Sequence, residues 1–204
     1  MKHILTPPSL DDLIRLLKAW RFWILGALAG ALIGAVIYFI APPAFRARAT
    51  VNVDFNLEEA WPQDTDRQQF YYLERESRKL VEIAWSDDVM NQISTEFAIP
   101  LDELRGGKLQ LSQPAEAGWH FYADDADSQT AAAIASAWAE TFFIRAQADI
   151  DAKILNEFIR IEVTQSAGLP VERRIPLSTY LLAGSIGFLT LAVFALLIVK
   201  PKSQ

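Results

Sequence analysis

Two long stretches without a charged side chain lie near the two ends of the sequence. Residues 22–41 and 177–199 are almost wholly apolar, and polar and apolar positions are mixed between them. A helix rises about 1.5 Å per residue, so each stretch has the roughly 20 residues that cross a bilayer core. The pattern predicts two transmembrane helices, 22–41 and 177–199, which flank a single domain, 42–176.

The first 21 residues predict an amphipathic helix at the membrane interface. Ser9 is a typical N-cap, Asp11 and Asp12 suit the first turn, and apolar residues recur at helical spacing. A simple extension of the membrane helix is the alternative. A cleavable signal peptide is disfavoured, because the apolar run exceeds 7–15 residues and acidic residues precede it. Residues 200–204 form a short tail.

Periodicity between the spans predicts an α+β domain with the order β-α-α-β-β-α-β. Residues 46–55 alternate strictly, which is typical of a strand with one wet face. Helices are expected at 67–85, 86–98 and from about 128 to 156, and further strands at 108–112, 119–123 and 159–164; residues 57–66 are expected to form a polar loop. The first helix carries a predicted inward stripe of Phe70, Leu73, Ser77, Leu80, Val81 and Ala84. The terminal strands are expected to pair near the membrane.

Small residues predict close helix packing inside the spans. Gly26, Gly30 and Gly34 recur every four residues and therefore share one helix face. Such a face allows another helix to approach closely in lipid, and Ala183 and Gly187 offer a matching notch in the second span. The sequence leaves open whether the partner is the second span or a neighbouring subunit.

Charge gives a weak orientation and excludes some functions. Basic residues lie on both sides of the spans, so they favour cytoplasmic termini and an extracytoplasmic domain only slightly. Acidic residues outnumber basic ones, with a net charge of −6, so nucleic-acid binding is not expected. The chain has no cysteine, which excludes disulfides, thiolate metal sites and a cysteine nucleophile.

No motif in the sequence predicts catalysis, a cofactor or a metal. His120 is expected on the polar face of a strand, and no nucleophile elbow accompanies it. Asp124, Asp125 and Asp127 are better explained by capping of the following helix than by calcium binding, since no EF-hand loop follows. A phosphate-binding loop is also missing from the sequence, so the chain is not expected to be an ATP-using kinase.

Several diffuse motifs resemble Wzz-type chain-length determinants, the polysaccharide co-polymerases. The segment 43–53, PAFRARATVNV, resembles the strand after the first span of that family. The start of the long helix, with Asp125 and Asp127, is also similar to the family pattern. The positions of the family signature are Pro43, Phe45, Ala47 and Ala49 after the first span, and Ala167, Pro170 and Pro176 before the second. The chain departs from the pattern at four positions, where Phe45 replaces Tyr, Ser128 and Arg173 replace Pro, and Ser136 replaces Asn.

The resemblance implies a non-enzymatic scaffold in the plasma (inner) membrane. Such proteins assemble as homo-oligomeric rings and regulate the chain length and export of a surface polysaccharide together with a polymerase. Two alternatives remain: an adaptor for a separate cytoplasmic tyrosine kinase, as in short relatives, and a subunit of an unrelated membrane complex. Arg46, Arg48 and Arg173 are candidates for contact with an anionic lipid-linked substrate, although simple headgroup contact is the more ordinary role.

Overall fold

The computed structural model describes residues 14, 18–60, 66–113, 118–167 and 172–198. The chain divides into two compact units. One contains the two long apolar helices, and the other, Ala44–Arg174, contains a sheet with its own helices. The interfacial helix predicted for residues 1–21 and the short tail fall largely outside the described residues.

The two apolar helices are α1, Trp20–Ile40, and α7, Leu177–Ile198. Both are long and apolar enough to cross a membrane. Helix α1 begins at Trp20, two residues before the predicted span, because Phe22 N–H already bonds to the Ala19 carbonyl in a helical turn. Large apolar side chains such as Leu25, Leu32 and Phe39 point outward from the pair, as lipid-facing residues would.

Five strands form the sheet of the second unit: β1 Phe45–Asp54, β2 Leu109–Ser112, β3 Trp119–Asp125, β4 Arg160–Gln165 and β5 Glu172–Arg173. The spatial order is β2-β3-β1-β4, all antiparallel, and β5 also pairs with β1. The expected pairing of the first and last predicted strands is present, since β1 pairs with β4. Strand β5 was not expected, because two residues carry no readable periodicity.

The helices of this unit are α2 Leu57–Ala60, α3 Asp66–Ala84, α4 Asp87–Phe97, α5 Leu101–Glu103 and α6 Ser128–Asp151, with a π turn at Leu104–Lys108. Helix α2 lies where a polar loop was predicted, so that prediction is wrong over four residues. Helix α6 ends at Asp151 instead of about 156. Its end is fixed by Lys153, which adopts a left-handed φ of 60°, and by the Asp149 carbonyl, which accepts from both Ile154 and Leu155.

Helix α6 lies over one face of the sheet, and the core forms between them. Ala47, Ala49 and Val51 of β1 face it and are fully or almost fully buried, as the alternating pattern predicts. The Trp138 ring packs edge-on against Phe121 with ring centroids 4.9 Å apart. The Trp138 indole N–H donates to the Ala84 carbonyl at 2.9 Å, which ties α3 to α6. A buried indole donor thereby has its hydrogen-bond partner.

The predicted inward stripe of α3 is partly wrong. Leu80 and Ala84 are buried as expected, but Phe70 is 63% exposed. The buried stripe instead continues through Glu76 and Tyr72, each four residues before the last. A prediction from the spacing of apolar residues does not include Glu76, because it is charged. Its side chain is nevertheless only 1% exposed, and it accepts hydrogen bonds from Arg75 Nε (2.8 Å) and Lys79 Nζ (3.1 Å). Neighbouring cations therefore allow a carboxylate at a buried position.

Candidate functional site

The glycine face of α1 packs directly against α7. A Cβ added to Gly30 would collide with the Gly184 carbonyl and lie 2.9 Å from Phe188 Cβ, and one added to Gly34 would collide with the Tyr180 carbonyl. Contact is ordinary at Gly26, where the added Cβ would lie 3.9 Å from Ala192 Cβ. Gly30 and Gly34 thus permit backbone-to-backbone approach of two helices in the same chain.

The notch predicted on α7 is wrong by one helix position. Ala183 is exposed, and a Cβ added to Gly187 would meet nothing within 4 Å, so neither residue lies in the contact. Gly184 occupies the contact instead, where an added Cβ would collide with the Gly30 carbonyl. Ala183, Gly184 and Gly187 are all small, and because apolar residues lie on every side of this helix, their pattern along the sequence does not single out the packing face.

Polar and aromatic contacts fix the register of the two helices. Ser185 Oγ donates to the Ala27 carbonyl at 3.1 Å, and the Tyr38 and Tyr180 rings meet edge-on with centroids 5.4 Å apart. A hydroxyl among apolar side chains satisfies its hydrogen bond on the neighbouring helix, which makes one register preferable to its alternatives.

In the α+β unit, the most organised polar site surrounds Asp124 at the end of β3. Arg46, opposite it on β1, donates from Nε at 2.7 Å and from Nη2 at 2.8 Å to the two carboxylate oxygens. Arg174 Nη1 lies 3.2 Å from Asp124 Oδ2, and the Asp124 side chain is only 7% exposed. The hydrogen bond to Asp124 is the main reason that the pKa of Arg46 is raised. One buried carboxylate therefore joins two arginines that are far apart in the sequence.

The same corner carries the pairing between β1 and β5. Phe45 lies opposite Arg173, and Arg46 lies opposite Glu172. The Arg174 backbone N–H donates to the Ala44 carbonyl at 2.9 Å, and the Arg173 guanidinium lies 4.2 Å from the Phe45 ring centroid. Arg46 and Arg173, predicted as lipid or substrate contacts, are therefore both engaged in contacts within this unit.

Arg48, the third predicted contact residue, lies exposed on the face of β1 away from α6. Tyr122 lies opposite it on β3, and Thr50 Oγ1 lies 3.1 Å from His120 Nδ1 on the same face. The pKa of His120 is lowered from 6.5, first by burial and then by the Arg48 charge. This histidine therefore favours its neutral form near pH 7, as a hydrogen-bonding group in a polar surface.

The three neighbouring aspartates have different roles, and only one caps the helix. Asp127 accepts from Thr130 N at 2.8 Å and is the N-cap of α6, which accounts for its lowered pKa. Asp125 instead lies 2.9 Å from Lys108 Nζ. Asp124, Asp125 and Lys108 border a shallow depression of about 600 Å³. No group of three or more metal-ligating side chains occurs within the part of the chain that the structure describes.

The residues of the predicted family signature are explained mainly by packing. Ala47, Ala49 and Ala167 are buried, and Ala167 N–H donates to Ser136 Oγ at 2.9 Å. Pro176 is exposed and precedes α7, while Pro43 precedes β1. Pro170 lies outside the described residues. Sequence reasoning missed Ser136 and Asp124 as contact residues, because their partners lie 31 and 78 positions away.

The geometry supports packing and ion pairing. The arginine–aspartate cluster can hold two chain segments together, and the glycine face can hold two helices together. A scan against protein-family models finds no match for this chain, and a search of curated proteins finds none either.

Proposed function

We propose that this protein is a non-enzymatic membrane scaffold that regulates the polymerisation, chain length and export of a surface polysaccharide. The observation that carries the proposal is the arrangement of the chain: two candidate membrane helices flank one α+β unit, whose incoming strand β1 pairs with both late strands, β4 and β5. The general layout, two candidate spans with one α+β unit between them, is the one that the resemblance to the polysaccharide co-polymerases implies, and it is this layout that supports the proposal.

In this proposal the chain lies in the plasma membrane with cytoplasmic termini, and its α+β unit faces outward beside copies of itself. A polymerase or a cytoplasmic tyrosine kinase is the further partner. Of the three arginines considered for anionic lipid or substrate, Arg48 is the one with an exposed side chain, whereas Arg46 binds Asp124 and Arg173 covers Phe45. Contact with an anionic group is therefore assigned to Arg48 first.

Deletion of the gene followed by complementation tests the proposal. The deletion should alter the length distribution or amount of the host's surface polysaccharide, and the wild-type chain should restore it. The Gly184→Ala variant, whose added methyl group would collide with the Gly30 carbonyl, should restore the polysaccharide less well than Gly187→Ala, whose added methyl group lies in open space. An unaltered polysaccharide after deletion would overturn the proposal.

The mass of the assembly in mild detergent supplies a second test. A scaffold of side-by-side copies should have a mass of several chains, and a single-chain mass would contradict it. If deletion instead abolishes tyrosine phosphorylation of a separate kinase while the assembly stays monomeric, the adaptor function replaces the scaffold. The short α+β unit is the feature that favours this second candidate.

A further inference from the structure

We infer that residues Glu172–Arg174, here called the exit strap, form a detachable segment that Asp124 locks against β1. The inference concerns the α+β unit alone and does not depend on the proposed function. It assigns to Asp124 a positioning role: the carboxylate determines whether the last segment of this unit stays paired with its first strand.

The exit strap is held by few backbone interactions. Among the described residues, its pairing with β1 joins Phe45 with Arg173 and Arg46 with Glu172, and Arg174 N–H donates to the Ala44 carbonyl. Strand β4 pairs with β1 from Thr50 to Asp54, so the strap is a separate, short extension of that edge. Segments with so few hydrogen bonds open locally at much lower cost than the sheet that they border.

Side chains add to the attachment: the Arg173 guanidinium covers the Phe45 ring, and an ion pair joins the strap to Asp124. Arg174 reaches Asp124 Oδ2 from the strap, while Arg46 holds both carboxylate oxygens from β1. If the strap opens, Asp124 keeps Arg46 and therefore does not become a buried charge without a counter-ion. Within the cluster, opening breaks the pair of Asp124 with Arg174, whose side chain is 51% exposed, and keeps the pair with Arg46, whose side chain is 25% exposed. Asp124 therefore helps to hold the strap through Arg174, while its pair with Arg46 persists whether the strap is closed or open.

The strap lies directly before the segment that leads to α7, and it pairs with the residues that follow α1. Ala44 lies four residues after the end of α1, and Arg174 lies three residues before the start of α7. The hydrogen bond between Arg174 N–H and the Ala44 carbonyl therefore joins the two residues from which the chain continues toward the candidate membrane helices. While the strap is closed, these two ends of the unit are held together. When it opens, residues 172–174 can leave β1 without unfolding β1, β3 or β4.

Hydrogen exchange on the full chain in mild detergent tests the inference. In Arg174→Gln the backbone amide at position 174 should exchange about fivefold faster than in the wild type, the change expected for loss of a half-exposed ion pair. Asp124→Asn removes both charge-assisted contacts, so the same amide should exchange at least about tenfold faster. The amides of Ala49 and Val51, in the centre of β1, should be unchanged in Arg174→Gln.

Asp125→Asn is the matched control, because it neutralises the adjacent aspartate, whose ion pair is with Lys108 and not with the strap. It should leave the amide at position 174 unchanged. The inference is overturned if Arg174→Gln does not accelerate that amide, or if the amides of β1 accelerate equally, since the strap would then open only with the whole sheet. Should Asp124→Asn fail to fold, Arg174→Gln alone decides, because it leaves the Arg46–Asp124 pair intact.

Discussion

A designed disulfide tests whether α1 and α7 of one chain pack together through the glycine face. The natural chain has no cysteine, so any crosslink comes from introduced residues alone. A Cβ at position 26 would lie 3.9 Å from Ala192 Cβ, within the 3.5–4.5 Å range of native disulfides. We expect Gly26→Cys with Ala192→Cys to oxidise rapidly within one chain, and Gly26→Cys with Gly187→Cys not to do so.

The distances at Gly30 allow an estimate of how much one added methyl group destabilises the packing of the two helices. In Gly30→Ala the new Cβ would lie 2.7 Å from the Gly184 carbonyl carbon and 2.9 Å from Phe188 Cβ, whereas ordinary contact begins near 3.4 Å. Retreat of the helices by about 0.5–1 Å forfeits a quarter to a half of each dispersion contact. Overpacking of this kind costs about 1–3 kcal/mol, and the same retreat takes the Cβ separation of positions 26 and 192 to about 4.4–4.9 Å, at or beyond the upper end of the disulfide range.

The rate of intrachain crosslinking, followed as a mobility shift on a non-reducing gel, should therefore fall at least about tenfold when Gly30→Ala is added. Gly187→Ala is the matched control: it adds the same methyl group in open space and should leave the rate unchanged. Disulfides that join only separate chains would refute the reasoning, because the glycine face would then pack between copies. An unchanged rate in Gly30→Ala would refute it equally.

Two further predictions concern the α+β unit. Because burial and Arg48 lower the pKa of His120, Arg48→Gln should raise that pKa toward 6.5 in an NMR titration. The unfolded chain binds this proton more readily than the folded chain, so the free energy of unfolding should fall as the pH drops below 6.5. This fall should be smaller in His120→Asn. No upward shift in Arg48→Gln would contradict the assignment. Ala49→Leu should lower the free energy of unfolding by about 1–3 kcal/mol in denaturant, because Ala49 is fully buried under α6, whereas Arg48→Leu on the exposed face should change it far less. Equal losses in the two leucine variants would show that β1 does not bury one face.

Much of the fold was readable because it depends on local periodicity. Two charge-free runs predicted two helices of membrane-spanning length, and strict alternation predicted β1 and its buried face. The start of the helix predicted at 86–98 was also readable: α4 begins at Asp87, and the Ser86 hydroxyl before it accepts from Val89 N–H. In each case the signal and the structure that it predicts lie within the same short segment.

One error has a local cause. Glu76 looks exposed from its polarity, but Arg75 and Lys79, one and three residues away, make a buried carboxylate tolerable there. Other errors occurred where a contact depends on a distant segment. Asp124 looked like one of three helix-capping acids, but Arg46 and Arg174 arrive from the two ends of the unit. Only the folded sheet brings those three segments to one corner.

The glycine face of α1 packs against α7 of the same chain, and this limits which surfaces can join separate copies of the protein. The sequence allowed the glycine face of α1 to serve either the second span or a neighbouring copy. In the structure that face is filled by the backbone of α7, with Gly30 and Gly34 against Gly184 and Tyr180. A face already in backbone contact cannot also receive a helix from another copy. A loss of oligomer mass in a Gly30 variant would therefore report first on the helix pair within each chain. Contacts between copies, which the proposed scaffold requires, must use other surfaces, so variants that test them should leave this helix pair intact.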